Sequence, residues 1–335
     1  MRRAAPYVLF ALFMYLLPGL IPGSYWIHVL VIIGTYVIAA AGIDLLVGFA
    51  GQLSLCQASF FTLGAYCSAI LTTRYNLDPL EALGIGLIFS ALIAYGIGAP
   101  VLRLKGYYLA IATLGVGLII QSLLVSLAEY TGGPDGFRDI APLQVAGFMF
   151  DSDTECYYPI WTIAMLVLLF TRNIVRSRVG RAMLAIRGDD IAAASMGIDV
   201  ARYKVQAFII SAVYASLAGS LYAHSNRFIS PQLADLANSL ELIIIVVLGG
   251  IRTVFGVLLG TAIMKSIPEL LEAFLDYQVA ITGLILIVLL LYMPKGLFGI
   301  IRQGLNCCTA QWEMSEGMFG AIKQLLIRFC ARRYP

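Results

Sequence analysis

Four uncharged polar side chains, Gln52, Ser54, Gln57 and Ser59, open an otherwise apolar stretch, Gly51-Gln52-Leu53-Ser54-Leu55-Cys56-Gln57-Ala58-Ser59. Amides and hydroxyls at membrane depth need partners or a water-filled cavity, because hydrocarbon supplies neither donors nor acceptors. Glycines at 48, 51 and 64 permit a broken helix or a close backbone approach. A second glycine-rich unit, Gly249-Gly250-Ile251-Arg252-Thr253-Val254-Phe255-Gly256 with Gly260, lies in the later half. Paired glycine-interrupted segments point to a translocation route, and the same glycines also suit tight helix packing. On the first reading, Gln52, Ser54, Gln57, Ser59, Gly249 and Gly250 line the path.

Catalytic constellations are missing from the chain. It has no G-x-x-x-x-G-K-[ST] phosphate loop, HExxH, CxxC or GxSxG. His28 and His224 are too far apart for a local metal motif, and the six cysteines read as unpaired thiols. No catalytic residue, metal site or bound cofactor is therefore expected, which argues against a membrane-embedded enzyme. Uphill movement would need a partner's energy or an ion gradient. Ion-coupled carriers bury charges in their spans. Here the candidates are Asp44 near the inner end of its span, Glu241 near the outer end of another, and Lys265 within snorkelling reach of an interface, and no intramembrane charge pair is expected.

The most informative loop is Ser177–Lys204. Asp189 or Asp190 can cap a short helix through Ala192–Met196, and Gly197 can end it. A slim capped helix between cationic stretches suits a partner's groove better than a lipid-headgroup surface. Gly188, Asp189, Asp190, Ala192, Ala193, Ala194, Ser195, Met196 and Gly197 are the residues of that knob.

The elements that position these residues follow from composition. Hydrophobic residues form 60% of the chain and charged residues 12%, and the mean hydropathy is +0.89. Soluble domains carry about twice that charge, so most of this surface faces lipid. The expected fold is an all-α polytopic bundle of about ten spans, some short or broken. They are placed at 6–23, 26–48, 52–73, 82–102, 107–128, 157–174, 205–224, 236–250, 253–268 and 279–294. The stretch 236–268 reads as two short spans or one re-entrant unit.

Lys and Arg set the orientation. Arg2, Arg3, Arg103, Lys105, Arg172, Arg176, Arg178, Arg181, Arg187, Arg202, Lys204, Arg252, Lys295 and Arg302 fall on one side. Only Arg74, Arg138, Arg227 and Lys265 fall on the other, with most acids. The basic side is cytoplasmic and both termini lie inside. Residues 1–302 form the membrane domain, with an external acidic loop at 129–156 and an internal basic loop at 175–204. Residues 303–335 form an internal tail whose apolar positions suit a helix on the anionic inner leaflet.

With these segments in view, the chain resembles the LivM-type inner-membrane permeases of branched-chain amino acid ABC importers. The resemblance runs from about residue 28 to 300. Its carriers are Gly51–Leu55 through Gly64-Ala65-Tyr66, Leu102–Gly115, Thr131-Gly132-Gly133-Pro134-Asp135-Gly136, Ser177–Lys204, Phe228–Pro231 with Val247–Gly250, and Met293–Gly299. Cys56-Gln57 departs from the Gly-His of many relatives, and the tail after 303 is longer than usual.

The resemblance implies a second, LivH-type permease, two cytoplasmic ATP-binding subunits using ATP and magnesium, and an extracytoplasmic solute-binding protein. It places the chain in a bacterial inner membrane, with no nucleic-acid partner. It assigns 188–197 to coupling with an ATPase, and Gly132, Gly133, Asp135 and Gly136 to docking of the binding protein. The solute is a branched-chain amino acid or a related small polar molecule. A stand-alone channel or ion-coupled carrier is the competing class, and a channel has no use for the 177–204 loop.

Overall fold

The computed structural model describes residues 14–19 and 23–270 except 103, 105, 146 and 147, together with 281, 283–285, 287, 296 and 297. The spans placed at 6–23 and 279–294 lie mostly outside the described residues. The tail 303–335 and the cations Arg2, Arg3, Arg103, Lys105, Lys295 and Arg302 lie wholly outside them.

Apolar runs form the helices expected of them. α1 covers Ser24–Ile43 and continues as a π-helical turn over Asp44–Phe49. α2 is Gln57–Tyr75, α3 Pro79–Val101, α4 Tyr107–Ser126, α5 the single turn Ala128–Thr131, and α6 Asp153–Arg176. α7 (Arg178–Gly188) and α8 (Asp190–Ser195) build the basic loop, and α9 (Val200–Asn226) follows. α10 (Leu236–Gly249) and α11 (Val254–Leu270) are shorter. Among the described residues, five segments are long and apolar enough to cross a bilayer: Ser24–Phe49, α3, α4, α6 and α9.

Burial separates the centre from the lipid-facing rim. The apolar stretch of α1 is 89% buried, against 28% in α3 and 33% in α4 and α6. The rim helices expose Ile88, Leu92, Ile119 and Leu166, which costs nothing against lipid tails. α1 packs on α6, α9, α10 and α11, and α9 packs on α2 and α3.

Small residues bring α2 and α9 together. A methyl group on Gly219 would fall 1.8 Å from the Phe61 carbonyl oxygen, and one on Gly64 would fall 2.3 Å from that of Ser216. Ser220 Oγ donates to the Gly64 carbonyl at 3.0 Å, and Ser90 Oγ donates to Ser216 Oγ at 2.9 Å. For Gly64, packing is therefore the use of the missing side chain.

The third span differs from expectation: it starts at Gln57, not 52. Residues 50–56 are not helical, because α1 ends in the π turn and Gly51 takes φ +68°. The basic loop is also more ordered than expected, since α7 precedes the capped turn and α8 covers Asp190–Ser195 instead of Ala192–Met196.

α10 and α11 form a tight antiparallel hairpin around Gly250 (φ +110°) and Arg252 (φ +69°). A methyl on Gly249 would fall 1.9 Å from the Gly256 oxygen, and one on Gly260 would fall 2.1 Å from the Ile245 oxygen. At about 1.5 Å per residue, α10 is roughly 21 Å long, less than the ~30 Å of a hydrocarbon core. α11 nevertheless lies along most of α1. The Arg252 amide meets Asp44 at one end, and Glu269 meets the Tyr25 hydroxyl at the other.

The acidic 129–156 loop and the basic loop sit at opposite ends of α1. At one end Asp153 takes Ser24 Oγ at 3.5 Å and lies 3.2 Å from His28 Nδ1. At the other, Arg187 donates to the Gly48 carbonyl. The acidic loop contains short strands. β1 (Phe137–Arg138) pairs antiparallel with β4 (Phe228–Ile229), and β2 (Leu143–Val145) pairs with β3 (Phe148–Phe150). The loop closes on α6 through a capping box of Ser152 and Glu155.

Candidate translocation segment and coupling helix

The non-helical stretch 50–56 and the first turn of α2 gather groups from four elements. The Gln52 backbone amide donates to the Leu46 carbonyl at 3.1 Å, and the Leu55 backbone amide donates to Thr113 Oγ1 of α4 at 3.1 Å. The Ala58 amide donates to Ser239 Oγ of α10 at 3.2 Å. Ser59 Oγ lies 3.4 Å from the carbonyl oxygens of both Gly117 and Ala234, and its one proton serves either. Ser54 Oγ and Cys56 Sγ are 3.3 Å apart. Cys56, Cys67 and Cys156 are free thiols.

Gln52 and Gln57 stand out here. Both are fully buried, and the side-chain amide nitrogen and oxygen of each lack a partner among the described protein groups. A buried polar group left unpaired costs about 1–3 kcal/mol, so amides held this way need a reason. Two buried primary amides, on a stretch whose backbone bonds to α1, α4 and α10, are suited to hydrogen-bond a polar molecule. Gly249 and Gly250 shape the hairpin: Gly249 packs on Gly256, and Gly250 supplies the positive φ of the turn.

The basic loop forms by local chemistry. Asp189 Oδ1 accepts from the amides of Ile191 at 2.7 Å and Ala192 at 3.2 Å, capping α8. Gly197, at φ +81°, ends the turn. Lys204 Nζ bonds Asp190 Oδ2 at 2.5 Å, and Asp199 caps α9 through the Arg202 amide at 3.1 Å. The knob has a definite outer face. Ile191 is 73% and Met196 84% exposed, whereas Ala193 is 4% exposed and faces the rest of the chain. Ala193 therefore lies on the inner side of α8, away from its exposed face.

On the acidic side, the glycines of Thr131–Gly136 shape the loop. Gly132, Gly133 and Gly136 all have positive φ, and a methyl on Gly136 would fall 2.4 Å from the Ile229 oxygen. Gly133 is buried and Asp135 exposed, so Asp135 is the side chain available to a partner.

Two features escaped the sequence reading. Lys265 Nζ pairs with Glu241 Oε1 at 2.7 Å, with the side chains only 16% and 22% exposed. The ammonium also sits 3.6 Å from the centre of the Tyr36 ring, halfway along α1. A charge pair therefore joins these two helices where none was expected, although Glu241 and Lys265 each lie within a turn and a half of an end of their own helix. The hairpin register carried the signal: Gly249 opposite Gly256 and Ile245 opposite Gly260 bring Glu241 opposite Lys265. The second feature is a contact set at the π turn, where Asp44 accepts from the Arg252 amide at 2.7 Å and Arg187 binds the Gly48 carbonyl.

Comparison with known proteins agrees with this architecture. The model of the family described as branched-chain amino acid transport system / permease component matches residues 25–293. The high-affinity branched-chain amino acid transport system permease protein LivM of Salmonella typhimurium is 34% identical over 299 residues, covering 82% of this chain and 70% of the relative. The LivH permease of the same organism is 27% identical over 289 residues, covering 79% and 91%. The fructose import permease protein FrcC of Rhizobium meliloti is 29% identical over 239 residues, covering 69% and 63%. No solved structure matches with significance. The chain is a multi-pass transport permease component, not an enzyme, and it belongs to the branched-chain amino acid transport system permease family.

Proposed function

We propose that this chain forms half of the translocation pathway of a binding-protein-dependent importer in a bacterial inner membrane. It pairs with a LivH-type permease. The solute is a branched-chain amino acid or a related small polar molecule. Two cytoplasmic ATP-binding subunits hydrolyse ATP with magnesium and act on α8, and an extracytoplasmic binding protein docks at Gly132, Gly133, Asp135 and Gly136. The path runs past Gln52, Ser54, Gln57 and Ser59. Gly249 and Gly250 serve it indirectly by holding the hairpin. The chain has about ten crossings with both ends inside, and residues 303–335 lie on the inner leaflet.

The observation that carries this reading is the separation of the two loops. Asp153 anchors the acidic loop beside Ser24, and Arg187 anchors the basic loop beside Gly48, at the far end of α1. A hairpin that leaves and returns to one side keeps the parity of the topology, whether or not α10 fully crosses. Similarity to both LivM and LivH proteins supports a paired permease, and similarity to a fructose permease keeps the solute class a separate question.

The test is reconstitution in liposomes. Uptake of leucine, isoleucine or valine is expected only with the second permease, the ATP-binding subunits, the binding protein and ATP together. Accumulation by this chain alone, under any ion gradient, would show a stand-alone carrier instead. Orientation is tested by labelling thiols placed at the exposed Asp135 and Ser195 positions, which are expected on opposite faces of the membrane.

A further inference from the structure

Three segments with separate roles meet at one turn of backbone. The π-helical turn Asp44–Phe49 ends α1, and such turns recur where a helix serves function. Its Gly48 carbonyl accepts from Arg187, the penultimate residue of α7, two positions before the Asp189 cap of α8. Its Asp44 carboxylate is buried and accepts the Arg252 amide at 2.7 Å, within the α10–α11 turn. Its continuation, 50–56, carries Gln52.

The fit is close enough to transmit displacement. A methyl on Gly51 would fall 2.9 Å from Arg187 Cγ, so the stem of Arg187 lies directly on the residue before Gln52. One on Gly48 would fall 2.4 Å from Asp44 Oδ1 and 3.3 Å from Ile251 Cγ2. Among the described residues, Arg187 and Arg252 bring positive charge toward Asp44. A guanidinium on the last carbonyls of a helix is also favoured by the helix dipole. Packed elements shift between discrete arrangements rather than deform smoothly, so movement of α7 and α8 cannot leave this turn unchanged.

We infer that Arg187 and Asp44 are positioning residues that carry motion of the coupling helix to the Gln52 segment and to the α10–α11 turn. The inference rests on the reading of α8 as the ATPase contact. Arg187 acts through the Gly48 carbonyl and the Gly51 backbone, and Asp44 holds the hairpin turn to the same point. Neither residue needs to touch the solute.

The experiment uses the complete reconstituted transporter with Arg187→Met, which keeps the aliphatic stem over Gly51 and removes the donor. Membrane abundance, co-purification of the ATP-binding subunits and ATP turnover are expected to persist. Uptake per ATP is expected to fall roughly fivefold or more, the lower end of ordinary coupling between sites. Thiol labelling of Gln52→Cys should differ between nucleotide-free and nucleotide-bound states in the parent and lose that difference with Arg187→Met. Arg187→Lys should restore part of both.

Asp44→Asn is the second variant. It keeps the shape and the acceptor for the Arg252 amide, removes the shared charge, and should lower uptake per ATP in the same direction. Wild-type uptake per ATP in either variant at normal abundance overturns the inference. So does loss of the ATP-binding subunits from Arg187→Met, because Arg187 would then belong to the docking surface itself. Failure of the parent chain to retain those subunits is a different result and removes the underlying reading along with the inference.

Discussion

Lys265 on α11 and Glu241 on α10 bring opposite charges to 2.7 Å across the hairpin, against the ring of Tyr36 on α1. The pair ties together three helices that their apolar surfaces alone would let slide, since lipid and leucine are equally apolar. Each ion removes the cost of burying the other, so single and double substitutions should behave in opposite ways. Glu241→Leu strands an ammonium and is expected to lose about 3–5 kcal/mol, seen as a sharp drop in membrane abundance. The double variant Glu241→Leu with Lys265→Met should recover most of it. A double variant no better than the single would mean that the pair is not the stabilising unit.

Gln52 and Gln57 invite a separation of stability from transport. Gln57→Leu replaces an amide without partners by an apolar side chain of similar size, a change that is neutral or stabilising when the amide is dry. Abundance and thermal stability should hold or rise while uptake falls. Full uptake at normal abundance would assign the amides to packing.

The face of α8 predicts which residues meet the ATP-binding subunits. Ile191→Glu and Met196→Glu alter exposed side chains and should release those subunits with membrane abundance unchanged. Ala193→Glu buries a carboxylate against the rest of the chain and should instead lower abundance, so it reports on folding. Pull-down with quantified membrane levels distinguishes the two, and retention of the subunits by both exposed-face variants would remove α8 from the contact.

Close packing of α2 on α9 gives a control within one residue type. Gly219→Ala drives a methyl to 1.8 Å from backbone, whereas Gly84→Ala meets nothing within 4 Å. The first should cost about 1–3 kcal/mol or more by overpacking, measured as a fall in melting temperature in detergent. The second should be neutral.

Local chemistry was legible in the sequence. Apolar runs of span length announced α1, α3, α4, α6 and α9, because a bilayer of fixed thickness accepts little else. Asp189 and Gly197 announced the capped turn of α8, since a cap and a left-handed stop are settled within a few residues. The polarity of Gln52 and Gln57 was equally plain. What required the tertiary structure was every relationship that closes over a long loop: Glu241 with Lys265, Asp44 with the Arg252 amide, Arg187 with the Gly48 carbonyl, and the inward turn of Ala193. The start of α2 at Gln57 belongs with these, because the backbone amides of Gln52 and Leu55 are satisfied by the Leu46 carbonyl and by Thr113 of α4 instead of by a helical ladder. Helix formation depends on neighbours three and four residues away, whereas these contacts depend on how helices distant in sequence come to lie side by side. Residue type and spacing name the candidates for such contacts, and only the packing of α1 against α9, α10 and α11 decides which of them meet.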